Sequence, residues 1–337
     1  METDPALIDL TTQVEIINQL SEKLRACYIF PEVAEQICIR LQGYLHNGEY
    51  ATLTEANLFA LALTMHMQEV NHDEHCWIKW HAETLPEDDG QLRLNQAWQE
   101  ERMLEARLEN YGFYKVERLP GNVGYLDIHY FHRPAWGGDI AVNAMNFISD
   151  TNALIIDLRN CIGGYPGMIA LVCSYLFGDE PVHLESIYWR DEDITQQYWT
   201  QPYIPGRRYL DKPVYVLTSK DTFSGGEMFA DIMQTRKRAT IIGEKTDGGA
   251  NAGASYRIHP HYEAFIPIGR TINPITGLNW EGCGITPDIS VPHEQSFNAA
   301  YKLALLSVIA DLAAPSNAAL RKLVNEAQTA LTSLGDV

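Results

Sequence analysis

The chain has no C-x-x-C pair, no run of about 18 apolar residues, and only 25 lysines and arginines against 44 aspartates and glutamates. Each absence closes a class of function. Its six cysteines, Cys27, Cys38, Cys76, Cys161, Cys173 and Cys283, lie far apart in mostly apolar context, which fits buried thiols in a reducing compartment better than disulfides or a structural zinc. Without a long apolar run there is no candidate transmembrane helix, and no membrane partner is expected. The opening METDPALIDLTTQVEIINQL has neither a basic start nor an unbroken apolar stretch, so no secretion signal is indicated and a cytoplasmic location is expected. A formal charge of −19 repels phosphate backbones and argues against nucleic acid as a partner. The G-x-G-x-x-G and G-x-S-x-G patterns are also missing, which removes the dinucleotide fingerprint and the nucleophile elbow of α/β-hydrolases.

What is present is an ordinary globular composition, 46% apolar and 20% charged over 337 residues, enough for a substantial core and about two domains. Val14, Ile17, Leu20 and Leu24, then Val33, Ile37 and Leu41, then Leu58, Leu61, Met65 and Val70 recur at helical spacing, with breaks at Phe30-Pro31 and in HNGEY. Residues 1–70 therefore read as a small N-terminal bundle of about three helices. His72 to Trp80 is a polar turn leading into a short strand, 82–100 an acidic loop, and Gln99 to Asn110 a solvated helix. Between His75 and Gly121 there is no room for an inserted peptide-binding domain of PDZ size. From Gly121, apolar strand runs at 123–128, 153–158, 214–217 and 239–242 alternate with helices near 140–149, 167–177 and 227–234, which predicts an α/β layer structure with a buried sheet. Residues 252–292 return to strands and turns, and helices are expected at 294–313 and 317–333. The expected division is thus a bundle over 1–70, an α/β core over 71–313 and a C-terminal helix over 314–337.

The chemistry concentrates in four stretches. In PVYVLTSKDTFSGGEMFADIM a strand ends in a turn and a helix begins, and Ser224 stands at the junction. A hydroxyl there sits at the positive end of the helix dipole, where an oxyanion would be stabilised, and Gly225 and Gly226 allow close approach to the backbone. The same residues fit an S-x-x-E capping box with Glu227, in which the serine only satisfies a helix N–H. Asp157-Leu-Arg-Asn-Cys-Ile-Gly163-Gly164 closes another buried strand; its glycines either present N–H groups to a ligand or form a turn that an Asp157–Arg159 pair holds. A serine nucleophile needs a base, and His75, flanked by Asp73 and Glu74, is the candidate. His72, His75, Cys76 and His81 repeat no known zinc spacing, so no metal is expected. His259 and His261 read as surface residues. Glu281 lies in a glycine-flanked turn, from which its carboxylate could orient an imidazole.

Taken in order, DLRNCIGG at 157–164, TSKDTFSGGEMFA at 218–230, TIIGEKTDGGANAG at 240–253 and WEGCGITPDISV at 280–291 resemble peptidase family S41: the C-terminal processing (tail-specific) proteases, the tricorn core proteases and the repeats of interphotoreceptor retinoid-binding protein. The opening YIFPEVA with its helices is similar to the retinoid-binding-protein-like branch. The resemblance spans residues 10 to 310. It implies a ClpP/crotonase-like α/β core, here with an N-terminal helical bundle and no PDZ insertion, and no cofactor. Ser224 falls on the family nucleophile, and the N–H of Gly225 with one from Gly163 or Gly164 falls on the oxyanion hole. Gly249 stands where the processing proteases carry a lysine base, and Lys245 is displaced from it. His75 and Glu281 instead fall on the histidine and glutamate of the tricorn and retinoid-binding-like branch. Glu74 replaces the serine that precedes that histidine in tricorn proteases, so Glu74 or Glu281 would orient His75.

The implied function is a serine hydrolase cleaving a peptide bond through an acyl-enzyme on Ser224, with His75 as base. A binding module for a hydrophobic small molecule, or a hydrolase of an ester or specialised peptide, is the alternative. The expected partners are a peptide or small hydrophobic substrate, and a homo-oligomer is left open.

Overall fold

The computed structural model describes residues 6–87 and 92–335. Part of the expected acidic loop, residues 88–91, lies outside the described residues. Along the chain run α1 (Leu10–Cys27), α2 (Pro31–His46), α3 (Ala56–Asn71), β1 (Trp77–Trp80) and α4 (Gln96–Leu108). Next come β2 (Phe113–Leu119), β3 (Val123–Ile128), α5 (Pro134–Ile148), β4 (Ala153–Asp157), α6 (Pro166–Leu176), β5 (His183–Trp189) and β6 (Ile194–Trp199). The remainder holds β7 (Val214–Thr218), α7 (Gly225–Thr235), β8 (Thr240–Gly243), β9 (Asn251–His259), β10 (Tyr262–Ile272), β11 (Ile289–Ser290), α8 (His293–Asp311) and α9 (Ala318–Ser333).

The chain divides into two compact units. The first takes in the chain up to Met103 together with Ile187–Gln196 and Asn251–Ile272. The helices expected over 1–70 are present, but they close no bundle of their own. Ile16, Ile17, Leu20 and Leu24 of α1, Ile37 and Leu41 of α2, and Phe59, Leu63 and Met67 of α3 share one core with Tyr256 and Ile258 of β9 and Tyr262, Ala264 and Ile266 of β10. Each such side chain contributes about 1.5–3 kcal/mol only when covered, and the strands supply part of that cover. The division expected at residue 70 is therefore not where the chain separates: the strands of 251–272, distant in sequence, complete the helical core. In this unit β1 pairs antiparallel with β10, Trp77 opposite Phe265 and Trp80 opposite Tyr262.

The second unit comprises Leu104–Ser186, Gln197–Ala250 and everything after Asn273. Its sheet has the order β11-β8-β7-β4-β3-β2, parallel throughout except for β2, which runs antiparallel to β3. Strands β4 and β7 are buried along their whole length, as their unbroken apolar sequences predict. Val123, Tyr125, Ile155, Tyr215, Leu217 and Ile242 face α8 through Ala300, Ala304, Leu305 and Val308, with Ala327 of α9 behind. Leu154, Ile156 and Val216 alternate with them and point to the opposite face, where α5 and α7 pack on β3 and β8.

Two expectations needed revision in detail. The helix expected from residue 140 begins at Pro134, a proline at the first helical position, because Gly137 and Gly138 interrupt the apolar period in its opening turns. Strand β2 was not foreseen, because its sequence FYKVERL is mostly exposed and charged and carries no buried face to announce it.

Candidate active site

In the second unit the ends of β4 and β7 lie side by side, and the loops that leave them are tied together. Ser219 Oγ donates to Arg159 O, Thr222 Oγ1 to Leu158 O at 2.8 Å, and Phe223 N to Cys161 O at 2.9 Å. Asp157 receives Arg159 through both carboxylate oxygens, Nε at 2.9 Å and Nη2 at 2.6 Å, and Tyr125 Oη at 2.8 Å. The Asp-Arg pair thus fixes the loop whose tip is Gly163-Gly164. Carboxyl ends of parallel strands are where an open α/β sheet leaves space for a ligand.

Ser224 stands at that tip. Its backbone has φ 52° and ψ −113°, the conformation of the first central residue of a type II′ turn, where glycine is the usual occupant. For a serine this costs on the order of 1–3 kcal/mol. A strained strand-to-helix turn like that of the hydrolase elbow is therefore formed here without the G-x-S-x-G sequence. Gly163 has φ 133°, and a methyl group on it would lie 3.1 Å from Ser224 Cβ and 3.4 Å from Oγ. A methyl group on Gly225 would lie 2.7 Å from Gly164 N, so the two glycine loops press together around the hydroxyl. At the start of α7, Gly226 N donates to Phe223 O and Ser224 N to Glu227 Oε2. Among the described residues, no such bond occupies the N–H groups of Gly163, Gly164 or Gly225.

This packing makes a simple test. Gly163→Ala is expected to slow any reaction at Ser224 by at least about tenfold, since displacing a reacting group by about 1 Å costs up to a hundredfold. Gly178→Ala, where nothing lies within 4 Å, is the control and should leave the rate unchanged. Stopped-flow reaction with a serine-directed phosphonate compares the two.

Glu227, which the sequence marked only as a cap, is fully buried and holds three segments at once. Its Oε1 accepts Thr246 Oγ1 at 2.6 Å and Gly248 N at 2.8 Å, and its Oε2 accepts Ser224 N at 2.8 Å and Gly249 N at 2.9 Å. Burial pushes this carboxyl up to about 7, while the same four donors pull it down. The loop it captures is in turn bound to the WEGCGI turn: Trp280 Nε1 donates to Gly249 O at 2.9 Å, Gly282 N to Gly248 O at 2.7 Å and Ile285 N to Thr246 Oγ1 at 2.7 Å. Glu281, half-buried, accepts Ala250 N on Oε2 at 2.6 Å. The family-matched Thr246–Ala250 and Trp280–Ile285 segments are thus one scaffold, carried to Ser224 by Glu227.

His75 belongs to the first unit. Helix α3 ends on His72 in the left-handed region, φ 52°, and the chain turns through Asp73 into β1. Asp73, almost fully buried, accepts His75 N on Oδ1 at 3.0 Å and Asn251 Nδ2 on Oδ2 at 3.0 Å, and its Oδ1 lies 3.9 Å from His75 Nδ1. The imidazole is buried and stacks on Phe265, ring centres 6.0 Å apart. Burial holds His75 down to about 4, so the ring is neutral at pH 7; burial lifts Asp73 to about 6, against its hydrogen bonds. Glu74 is exposed. Asp73 was visible in the sequence only as a flanking charge; its burial, and its bond to Asn251 some 178 residues away, have no local signal.

The model of peptidase family S41 matches residues 122–291, and the N-terminal domain of S41 peptidases in eukaryotic interphotoreceptor retinoid-binding protein matches residues 1–117. The chain belongs to peptidase family S41. The retinoid-binding-protein type of N-terminal segment expected from the sequence is matched as well. This S41 chain is 24% identical over 181 residues to carboxyl-terminal-processing peptidase 1, chloroplastic, of Arabidopsis thaliana, covering 53% of the chain and 35% of that protein. It is 30% identical over 132 residues to a carboxyl-terminal-processing protease of Synechocystis, covering 38% of the chain and 29% of the relative. The chain thus spans about a third of the length of these two relatives. Among solved structures, a lipoprotein from Streptococcus agalactiae superposes with TM-score 0.57 at 14% identity, covering 87% of this chain and 96% of that one. The tricorn protease does so with TM-score 0.52 at 13% identity, covering 95% of this chain and 37% of that one. At those identities the likeness is one of fold, the mixed α/β fold of S41 proteases with a helical N-terminal region. No helix among the described residues is long and apolar enough to cross a membrane.

Proposed function

We propose that this chain is a serine peptidase that cleaves a peptide bond through an acyl-enzyme on Ser224, with His75 as general base. The observation that carries the reading is the backbone of Ser224: a serine held at φ 52° and ψ −113° at a helix N-terminus, against glycines whose N–H groups are open, carries strain that its capping box with Glu227 does not require, since capping serines ordinarily sit in the extended region. Membership of S41 supports it, and so do the names of the carboxyl-terminal-processing relatives, from which a peptide substrate follows. His75 takes the Ser224 proton as Oγ bonds to the substrate carbonyl carbon, and the carbonyl oxygen gains the negative charge facing Gly225 N and the N–H of Gly163 or Gly164. The C=O then re-forms, the C–N bond breaks, and the amine leaves with the proton from His75. Water repeats the sequence on the ester, releasing the acid and restoring Ser224. Glu281, which the resemblance assigns to this task, orients the ring, and Asp73 holds the turn that carries it.

Intact mass after treatment with a fluorophosphonate tests this reading. Wild type is expected to gain one adduct, and Ser224→Ala and His75→Ala to gain none. A folded wild type that stays unlabelled, or a Ser224→Ala variant that labels equally, would return Ser224 to the role of a helix cap and favour the ligand-binding alternative.

A pH profile follows from the burial of His75. The base works only when neutral, so its own acid limb lies near its lowered pKa of about 4, below a partial loss of labelling rate as Glu227, raised to about 7, and Asp73, raised to about 6, take up protons. A labelling rate that falls to zero, rather than in part, through the ordinary histidine value of about 6.5 would contradict the assignment.

A further inference from the structure

The segment after β3 carries a group that nothing so far has used. Phe131 N donates to Gly163 O at 2.9 Å and Tyr165 N to Phe131 O at 2.6 Å, a parallel bridge that extends β3 alongside the glycine loop. Phe131 turns inward and stacks on Phe229 of α7, ring centres 5.8 Å apart. Two residues on, the Arg133 guanidinium lies over the ring of Tyr165 at 4.6 Å and over that of Trp136 at 5.5 Å. Its Nε is shielded from solvent and has no hydrogen-bond partner, and the Nε2 of neighbouring His132 is in the same state. Among the described residues no carboxylate pairs with Arg133, although the chain holds 44 acidic residues against 25 basic ones. By contrast Arg25, Arg118, Arg159 and Arg207 each have a carboxylate partner.

An arginine cannot shed its charge, and stacking between two aromatic faces fixes its plane while leaving the edge N–H groups to pair with a planar anion. We infer that Arg133, set by Tyr165 and Trp136 beside the Gly163-Gly164 loop, is a specificity-determining residue that binds a carboxylate of the substrate. Tyr165 is two residues beyond Gly163, at most about 7 Å of chain, and a bound carboxylate about two to three residues from the attacked carbonyl is the spacing this predicts. The carboxylate is supplied by an aspartate or glutamate side chain or by the C-terminus of the peptide. Ile162, next to Gly163 and 64% exposed, offers an apolar contact to a neighbouring residue of the substrate. This inference rests on the serine peptidase reading, and its test separates the two.

An equimolar mixture of synthetic peptides covering all residue pairs, each made with a free and with an amidated C-terminus, is incubated with wild type, Arg133→Gln and Arg133→Lys, and cleavage is read by mass spectrometry. Fluorophosphonate labelling of the same samples reports on Ser224 alone. Wild type is expected to prefer peptides with a carboxylate two to three residues from the cleaved bond. Arg133→Gln should lose about tenfold to a hundredfold in kcat/KM on those peptides, as loss of a charged hydrogen-bonded pair implies, with neutral peptides and the labelling rate unchanged. Arg133→Lys should fall between, because it keeps charge but not the fork. Loss of the preference on amidation identifies the terminal carboxylate, and its persistence identifies the side chain. If Arg133→Gln fails to fold, the comparison of glutamate with glutamine peptides on wild type and on Arg133→Lys still decides. Labelled enzyme that cleaves without regard to carboxylates, or cleaves none of the peptides, overturns the inference; absence of labelling overturns the Ser224 reading instead.

Discussion

Ser224→Gly is expected to make the protein more stable and inactive at the same time. The native backbone there, φ 52° and ψ −113°, is one that glycine adopts freely and serine does not. Relief of strain worth about 1–3 kcal/mol is set against the added freedom of a glycine in the unfolded chain and a lost helix cap, each at most about 1 kcal/mol. The net gain should be about 1 kcal/mol, a rise of about 2–4 °C in Tm for a unit of this size. Hydrolysis should fall by about five to six orders of magnitude, the scale on which loss of a serine nucleophile is felt. Thermal unfolding followed by circular dichroism, alongside peptide hydrolysis, gives both numbers. A serine that served only to cap α7 would show the same change in Tm, which the backbone angles set, but no activity would be there to lose.

The second large effect is expected at Glu227, where activity and stability should fall together. Glu227→Ala leaves the N–H groups of Ser224, Gly248 and Gly249 and the Thr246 hydroxyl facing a cavity. Unpaired buried donors cost about 1–3 kcal/mol each, and with water entering the space a total loss of about 3–5 kcal/mol is expected in urea unfolding. Glu227→Gln should cost less. An amide nitrogen in place of Oε1 can donate to the Thr246 hydroxyl, which rotates to accept, and opposes only Gly248 N; in place of Oε2 it would oppose both Ser224 N and Gly249 N. The labelling rate should follow the same order, wild type above Glu227→Gln above Glu227→Ala, because the carboxylate holds Ser224 and the 246–250 loop in one geometry. A Glu227→Ala variant of native stability and full labelling would show that the segments are held by other means.

The two effects have opposite signs in stability because the two residues do opposite work. Ser224 is kept in a conformation that costs energy, whereas Glu227 supplies bonds that stabilise that conformation from beneath. In the sequence they form one four-residue pattern, S-G-G-E, and the capping box accounts for both equally well. Only the backbone angles and the four bonds to Glu227 separate them.

The sequence by itself determined the family, the α/β class and the order of the parallel strands' elements, because buried strands and amphipathic helices write their periods locally and the four motif stretches stand in a fixed order. The resemblance to S41 also implied that Ser224, Gly225, Gly163 and Gly164 act as one group, and in the structure their loops, which follow β7 and β4, press together. Tertiary structure alone decided what depends on distant pairings. The helices of the first 70 residues find their cover in strands 251–272, Asp73 is tied to Asn251, and β2, which has no continuous apolar face, is held by its antiparallel pairing with β3. No local period encodes such partners: a burial or a hydrogen bond between residues far apart is settled only when the chain between them has folded.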